Sequence, residues 1–579
     1  MLSKIQCSML VGVLMLTIGS TAWASRFSDY TGRFKNNVDQ AKALNATYLG
    51  GAGTEWLCGG GFQPDGTVVV IGSALGPTLS VAGTDATPLA ADVEKLADFK
   101  PEPALDKQQN PKVFNGIPIY NKFGWNQENA TAYLALLSAD MKTVKSVVRF
   151  PWKSGSATSG IVDDKGGIYL AGKATDGLAK LCIDVQDLPV DVAAIGVDAA
   201  KFPLTRTYIA KFDNDGKKLL WLRTMTGPSN APTLSLNKDG KITLRAADLR
   251  VYDKDGKLIS ATIVPGGLNG LNAVNPIDGT IAVGGEHNWP TGREPWRCPT
   301  LNIRNPNGSL KYKFYDWGGP FVGIGELRLV SDTAIRRVTY DDEGNLIFTA
   351  WSDGGNSPAL RQPYDVYQGS SKANQLGMSG WGVSGALSFA YIVKLEKGSY
   401  SILAGTTWLA FRESVDASGN MRDKPNSISI SSLGFGVDGS IVIGGDSAHK
   451  LIQTGNNFMP EKRSDGTNLT AAVGSYFTVL NKDLSSLRFS TAMLACGQVD
   501  INNGNDYIFA SNTVNGKPML LVLTGAGGID GGYNSGSPAP SLNAVQPKYG
   551  GGASDGLAVV LDLTDNTPKP VTAVAPANK

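Results

Sequence analysis

The densest run of chemically capable side chains in the chain is EHNWPTGREPWRC at residues 286–298, which gathers Glu286, His287, Trp289, Arg293, Glu294, Trp296 and Arg297. Aromatic rings interleaved with ions can stack on sugar faces or clamp a peptide side chain. Pro290 and Pro295 suit a rigid cap over a strand end equally well. Glu286, His287, Trp289, Arg293 and Trp296 are therefore the candidate ligand-binding residues, and Arg336 joins them. It opens an apolar strand beside Arg337, and alternation along a strand turns one of the two toward the space that strand faces. There Arg336 can meet an anionic group, or pair with a carboxylate such as Glu55 or Asp353.

Other chemistries find less support. The two histidines, His287 and His449, show neither HxH nor HxxxH spacing, so no metal site is expected. The DxDG segments starting at Asp213 and Asp253 lack the further oxygen ligands and terminal Glu of a calcium loop and read as turns. No GxSxG elbow accompanies a placed His and Asp, so no catalytic residue and no cofactor is assigned. Cys58 and Cys496 each stand eight residues before a turn glycine, Gly66 and Gly504. Equivalent positions on neighbouring repeats make them a candidate disulfide, provided their Cα atoms come within about 7 Å.

What must position these residues is a repeat. Seven segments share an apolar strand, an Asp/Asn-Gly turn and a second strand: 59–72, 159–172, 233–246, 272–285, 337–350, 433–445 and 497–510. Such turns suit tight hairpins because they accept positive φ. A second hairpin follows at 207–225, 248–264, 301–317 and 475–492, with looser copies at 131–150 and 390–408. Two hairpins make a four-stranded blade, and seven units make a seven-bladed β-propeller, an all-β fold. The seventh unit reaches a third strand at 556–564 but has no fourth after it. Residues 46–50, in ATYLGG, have the character of the missing strand and are expected to close the ring from the N-terminal side, removing an open sheet edge.

The segments TYLGGAGTEW (47–56), DDKGGIYLAG (163–172) and SLNAVQPKYGGGASDGLAVVLDL (541–563) resemble the bacterial SBBP-type seven-bladed propeller repeat family. There a YLGG-like segment precedes a D-x-x-G-x-hydrophobic hairpin and a GG-x-x-D-A-F-V-like strand. The resemblance covers nearly the whole chain after residue 24, is strongest at the two ends, and implies a propeller and an exported location. It transfers no catalytic residues.

Composition fits this picture. Glycine accounts for 70 of 579 residues, well above the ordinary ~7%. Net charge is only +2, with 53 basic and 51 acidic residues interspersed, which disfavours a nucleic-acid partner. Residues 1–24 read as a secretory leader, with Lys4 at its start, an apolar core from Met9 to Ile18 and Ala22-Trp23-Ala24 before Ser25. A periplasmic or extracellular monomer without membrane insertion is expected. The remaining divisions are a segment at 25–45 with helical character over 33–44, the propeller at 46–564 and a polar tail at 565–579 that is expected to be disordered. Connections between second and third strands are long in six of the seven units, and 88–98 within the first reads as a packing helix. Long loops on a rigid frame commonly carry binding groups. The expected function is a ligand-binding or interaction scaffold that takes a carbohydrate or a protein on the loop-rich face. The alternative is a carbohydrate-active lyase or hydrolase at the channel mouth.

Overall fold

In the computed structural model the described residues are 41–51, 54–75, 79–88, 113–114, 117–118, 130–150, 155–174, 184–185, 205–227, 231–237, 239–246, 248–264, 271–288, 297–314, 333–353, 388–408, 410–415, 421–426, 428–447, 453–454, 474–493, 507–526, 541–548, 550, 554–564 and 571–572. Every regular element among them is a strand, so the protein is all-β. Five separate four-stranded antiparallel sheets span 233–262, 272–314, 333–408, 432–493 and, at the junction of the chain's two ends, 507–562 together with Lys42–Leu49. A ten-stranded sheet holds two further groups of four. Its strands Thr54–Phe62, Val68–Leu75, Ala130–Leu137 and Val144–Arg149 adjoin Gly155–Val162, Ile168–Ala174, Thr205–Phe212 and Leu219–Gly227. The link is a short parallel pairing, Gly59 with Gly160 and Gly60 with Ile161. Gly59 makes it possible: a Cβ there would lie 2.2 Å from the Gly160 carbonyl oxygen.

The hairpins form for the reason the sequence suggested. In most, the residue that opens the turn closes a three-residue loop ending in a positive-φ glycine, as at Gly66, Gly166, Gly216, Gly256 and Gly344. An Asp or Asn side chain completes many of these turns. Asp253 Oδ1 accepts from the Asp255 and Lys257 amides, at 3.0 and 2.8 Å, and Asp213 Oδ1 accepts from Lys217 and Lys218. The first carboxylate of each DxDG segment is thus engaged with its own backbone.

Middle strands are the most deeply buried: Val68–Leu75, Ala130–Leu137 and Asp555–Asp562 are buried throughout. Several charges inside the core are paired: Lys394 lies 2.8 Å from Asp341 and Arg250 3.0 Å from Asp248.

Three expectations change. The strand expected at 46–50 is Lys42–Leu49, antiparallel to Asp555–Asp562 with Ala46 opposite Val559, so the expected helix at 33–44 gives way to strand from Lys42. Its earlier part and residues 1–40 lie outside the described residues. At 88–98, Thr87–Pro88 instead adds a parallel strand to Val144–Arg149, and the following residues lie outside the described set. The hairpin expected at 497–510 is displaced: the paired strands are Tyr507–Val514 and Lys517–Ala526, turning at Asn515-Gly516. Both turn residues have positive φ, 50° and 77°, the two-residue geometry that Asn-Gly favours. The tail from 565 is described only at Val571–Thr572, which pairs with Gln453–Thr454.

Candidate binding channel and the junction of the chain ends

Inner strands of the successive sheets converge on one open cavity of about 970 Å³, on the side of the short first-to-second strand turns. Phe62, Val162, Leu236, Thr339, Phe435 and Phe509 bring one side chain each from six of the four-strand groups. A contiguous space of about 570 Å³ shares Leu236, Thr339 and Phe435 and extends to Asn275 and Arg337, adding the sheet of 272–314. Apolar Phe62, Val162, Leu236 and Phe435 share the wall with Ser235, Thr339, Ser511 and Asn512, while Asp163, Lys165, Asp239, Lys241 and Asp253 stand at the rim, where turns place polar residues. Much of this charge is already engaged: Lys241 lies 3.7 Å from Asp239, and Asp163 Oδ1 caps Lys165 and Gly167. The result is an open well of mixed polar and apolar lining with a charge-balanced rim.

A recurring irregularity governs which side chains enter this space. In three inner strands the register slips at the residue eight positions before the turn glycine: Cys58, Thr158 and Arg336, before Gly66, Gly166 and Gly344. Such a bulge inserts one unpaired residue and resets the alternation of faces. Consequently Arg337, not Arg336, lines the cavity. Its Nε donates to the Ser431 carbonyl on the adjacent sheet. Arg336 lies over the ring of Trp351, 5.1 Å from its centroid, in place of the expected Glu55 or Asp353 carboxylate. Thr158 Oγ1 bonds Pro232 O at 2.7 Å, and Cys58 Sγ bonds Ala157 O at 3.2 Å; bulge residues therefore tie one sheet to the next.

That geometry removes the basis of the Cys58–Cys496 pairing. With the hairpin turn at Gly516, the residue equivalent to Cys58 is Ile508, eight positions earlier. Cys58 is a buried thiol directed toward the sheet of 155–227, away from the junction of chain ends. Cys496 lies outside the described residues.

Of the other candidates, Glu286 is exposed near the end of strand Ile281–Asn288, and the His287 backbone pairs opposite Cys298. Trp289, Arg293 and Trp296, with His449, lie outside the described residues. Among the described residues no group of three or more His, Cys, Asp or Glu is placed to hold a metal ion, and no helix is long and apolar enough to cross a membrane.

A second polar cluster was not legible in the sequence. Where strand Thr54–Phe62 meets Asp555–Asp562, the carboxyls of Glu55 and Asp555 are buried on either side of Gly50. A Cβ at Gly50 would lie 2.6 Å from Asp555 Oδ1 and 2.9 Å from Glu55 Oε2, so glycine is what admits both. The Gly51 amide donates to Glu55 Oε2 at 3.3 Å, and Gly550 N and Gln546 Nε2 donate to Asp555 Oδ2 at 2.6 and 3.3 Å. Gln546 Oε1 in turn accepts from the Ala82 and Gly50 amides, at 3.0 and 3.3 Å. Burial pushes the Glu55 carboxyl well above the usual range, and the neighbouring Asp555 charge pushes it the same way. Burial likewise raises the Tyr133 phenol, helped by the charges of Glu55, Cys58 and Asp555.

No family model matches the sequence, and no curated protein matches it. Solved structures similar in arrangement include the Dos1 propeller, at 7% identity and TM-score 0.32, covering 92% of this chain and 97% of that one. The C-terminal WD40 domain of Sif2 is similar at 10% identity and TM-score 0.33, covering 89% and 98%. A quinohemoprotein alcohol dehydrogenase from Comamonas testosteroni is similar at 8% identity and TM-score 0.34, covering 93% and 78%.

Proposed function

We propose that this chain is an exported, SBBP-like propeller of seven blades, closed by Lys42–Leu49, that works as an interaction scaffold. The ten-stranded sheet counts as two blades, which with the five separate sheets makes seven. The observation that carries the scaffold reading is the cavity of about 970 Å³ to which six four-strand groups contribute. A well of that size, with apolar and polar groups converging on one space, has the character of a small-ligand or peptide-end site. The candidate site thereby moves from the loop-rich face to the short-turn face of the channel. A carbohydrate or a protein segment remains the class of ligand, and the leader at 1–24 is the basis for export.

The test is a glycan and peptide array probed with the mature protein, repeated with Leu236→Arg and Phe435→Asp. Both residues are partly exposed and shared by the two cavities. Loss of a specific signal in both variants, with melting unchanged, supports the channel. A signal indifferent to both but lost in Trp289→Ala would return the site to the loop-rich face and sink the channel reading. Export is checked separately by sequencing the N-terminus of the protein recovered outside the cytoplasm, which should begin at Ser25.

A further inference from the structure

Two side chains lining the space of about 570 Å³ each hold a buried donor with no acceptor among the described residues: Arg245 at Nε and Asn272 at Nδ2. The two are bonded to each other. Arg245 Nη1 donates to Asn272 Oδ1 at 2.7 Å and to the Asn272 carbonyl, which holds the guanidinium of one sheet against the inner strand of the next. Both of these acceptors are neutral. Asn272 is 3% exposed, whereas the Arg245 side chain is partly open to the cavity. Burial pushes the Arg245 guanidinium down to about 10, with no described carboxylate holding it up, yet it stays charged at neutral pH. Folded proteins rarely leave a buried donor without an acceptor, because that costs stability. Two at one place, one of them on a cation, point to an anionic acceptor.

Charge is also sorted along this space. The carboxylates of its lining, Asp239, Asp278 and Asp342, belong to the turns. Asp239 lies 3.7 Å from Lys241, and Asp278 Oδ1 accepts from the Thr280 amide and hydroxyl at 2.9 and 2.7 Å. Arg245 stands at the opposite end of strand Ile242–Arg245, about 13 Å of chain from that rim. Arg337 lines the same space from the sheet of 333–408, and the partly exposed Leu236 and Leu433 add apolar surface. From the turn side, a polyanion would carry its charge past the turn carboxylates. A single carboxylate behind an apolar side chain would not.

We infer that Arg245, positioned by Asn272, binds a single carboxylate in the channel, and that its ligand is the C-terminal end of a peptide whose last side chain is apolar. The planar fork of a guanidinium matches the two oxygens of a carboxylate, and the leucines would take the side chain that precedes it. This assignment rests on the channel being the binding site and names what the channel takes.

The test titrates the mature protein into the peptide GSGSGVL, labelled with fluorescein at its N-terminus and ending in either a free carboxylate or an amide, read by anisotropy. The acid is expected to bind about tenfold more tightly than the amide. Arg245→Met and Asn272→Asp, the second of which gives Arg245 a resident carboxylate, should each erase that preference, whereas Arg245→Lys should keep part of it. The comparison of acid with amide is made on the unaltered protein, so it stands even where a variant fails to fold. Equal binding of acid and amide, both blocked by Leu236→Trp, would overturn the carboxylate assignment and leave the channel standing. Acid binding indifferent to both Leu236→Trp and Arg245→Met would sink the two together. No saturable binding of the acid would overturn the assignment, with the array deciding the channel separately. So would stronger binding of trigalacturonic acid in competition, which would give Arg245 to acidic sugars.

Discussion

The pairing of Lys42–Leu49 with Asp555–Asp562 invites a direct perturbation: a protein that begins at residue 50. The deleted strand contributes Tyr48 and Leu49, 1% and 0% exposed, along with the buried Ala43 and Ala46. Fully burying a large apolar side chain contributes about 1.5–3 kcal/mol, so the first two alone account for about 3–6 kcal/mol. The strand also bonds to the 541–548 segment through Ala46, Tyr48 and the Asn45 side chain, and each bond adds a net ~1 kcal/mol. A loss of about 5–10 kcal/mol follows, comparable with the whole stability of an ordinary domain. The truncated protein should therefore unfold or aggregate at temperatures where the mature protein is folded, because the edge of Asp555–Asp562 is left open. Tyr48→Ala is the graded version, with an expected cost of about 3–5 kcal/mol. Scanning calorimetry measures both. A synthetic peptide covering 41–51, added in excess, should raise the melting temperature of the truncated form by refilling the gap. Equal melting of truncated and intact proteins, with no effect of the peptide, would refute the reasoning.

Three further outcomes follow from described residues. The folded protein holds a proton on Glu55 that the unfolded chain releases above about 4.5, so stability should fall as pH rises from there through the raised native value and level off beyond it. Glu55→Gln should remove that slope in urea midpoints and be no less stable than wild type at neutral pH; an unchanged slope would assign it to other groups. Gly516→Ala should cost about 1 kcal/mol by urea denaturation, because φ is 77° while nothing within 4 Å would obstruct a Cβ, leaving backbone strain as the only cause. Cys58 should resist alkylation in the folded protein and react after unfolding, as seen by intact mass; a Cys58–Cys496 cross-linked peptide would contradict its placement.

The repeat was legible because its signals are local. Asp-Gly turns and alternating apolar strands recur within a few residues of one another, and the hairpins at Gly66, Gly166 and Gly344 fall where those signals put them. The last hairpin misled because NNG at 502–504 and NG at 515–516 are both turn signals, and only pairing with Asp555–Asp562 selects the strands flanking the second. Arg336 misled for a different reason. Alternation assumes a regular ladder, and one inserted residue there exchanges the roles of Arg336 and Arg337. Glu55 and Asp555 are separated by nearly the whole chain, and nothing local marks either as half of a pair. Only the fold brings them to either side of Gly50.

Sharing one sheet between the two ends of the chain also sets an order of events. The Thr47 hydroxyl and the Gln546 amide bond each other across 499 positions, so strand Lys42–Leu49 has no neighbour on the 555–562 side until that distant segment is available. Contacts so distant in sequence are paid for in chain entropy before they are rewarded, and folds built on them assemble slowly. The other four-stranded sheets can form from segments that follow one another, whereas this one is a docking event between a waiting strand and a late hairpin. A chain interrupted before residue 555 would leave Lys42–Leu49 without the strand it pairs with, an open edge for as long as that segment is missing.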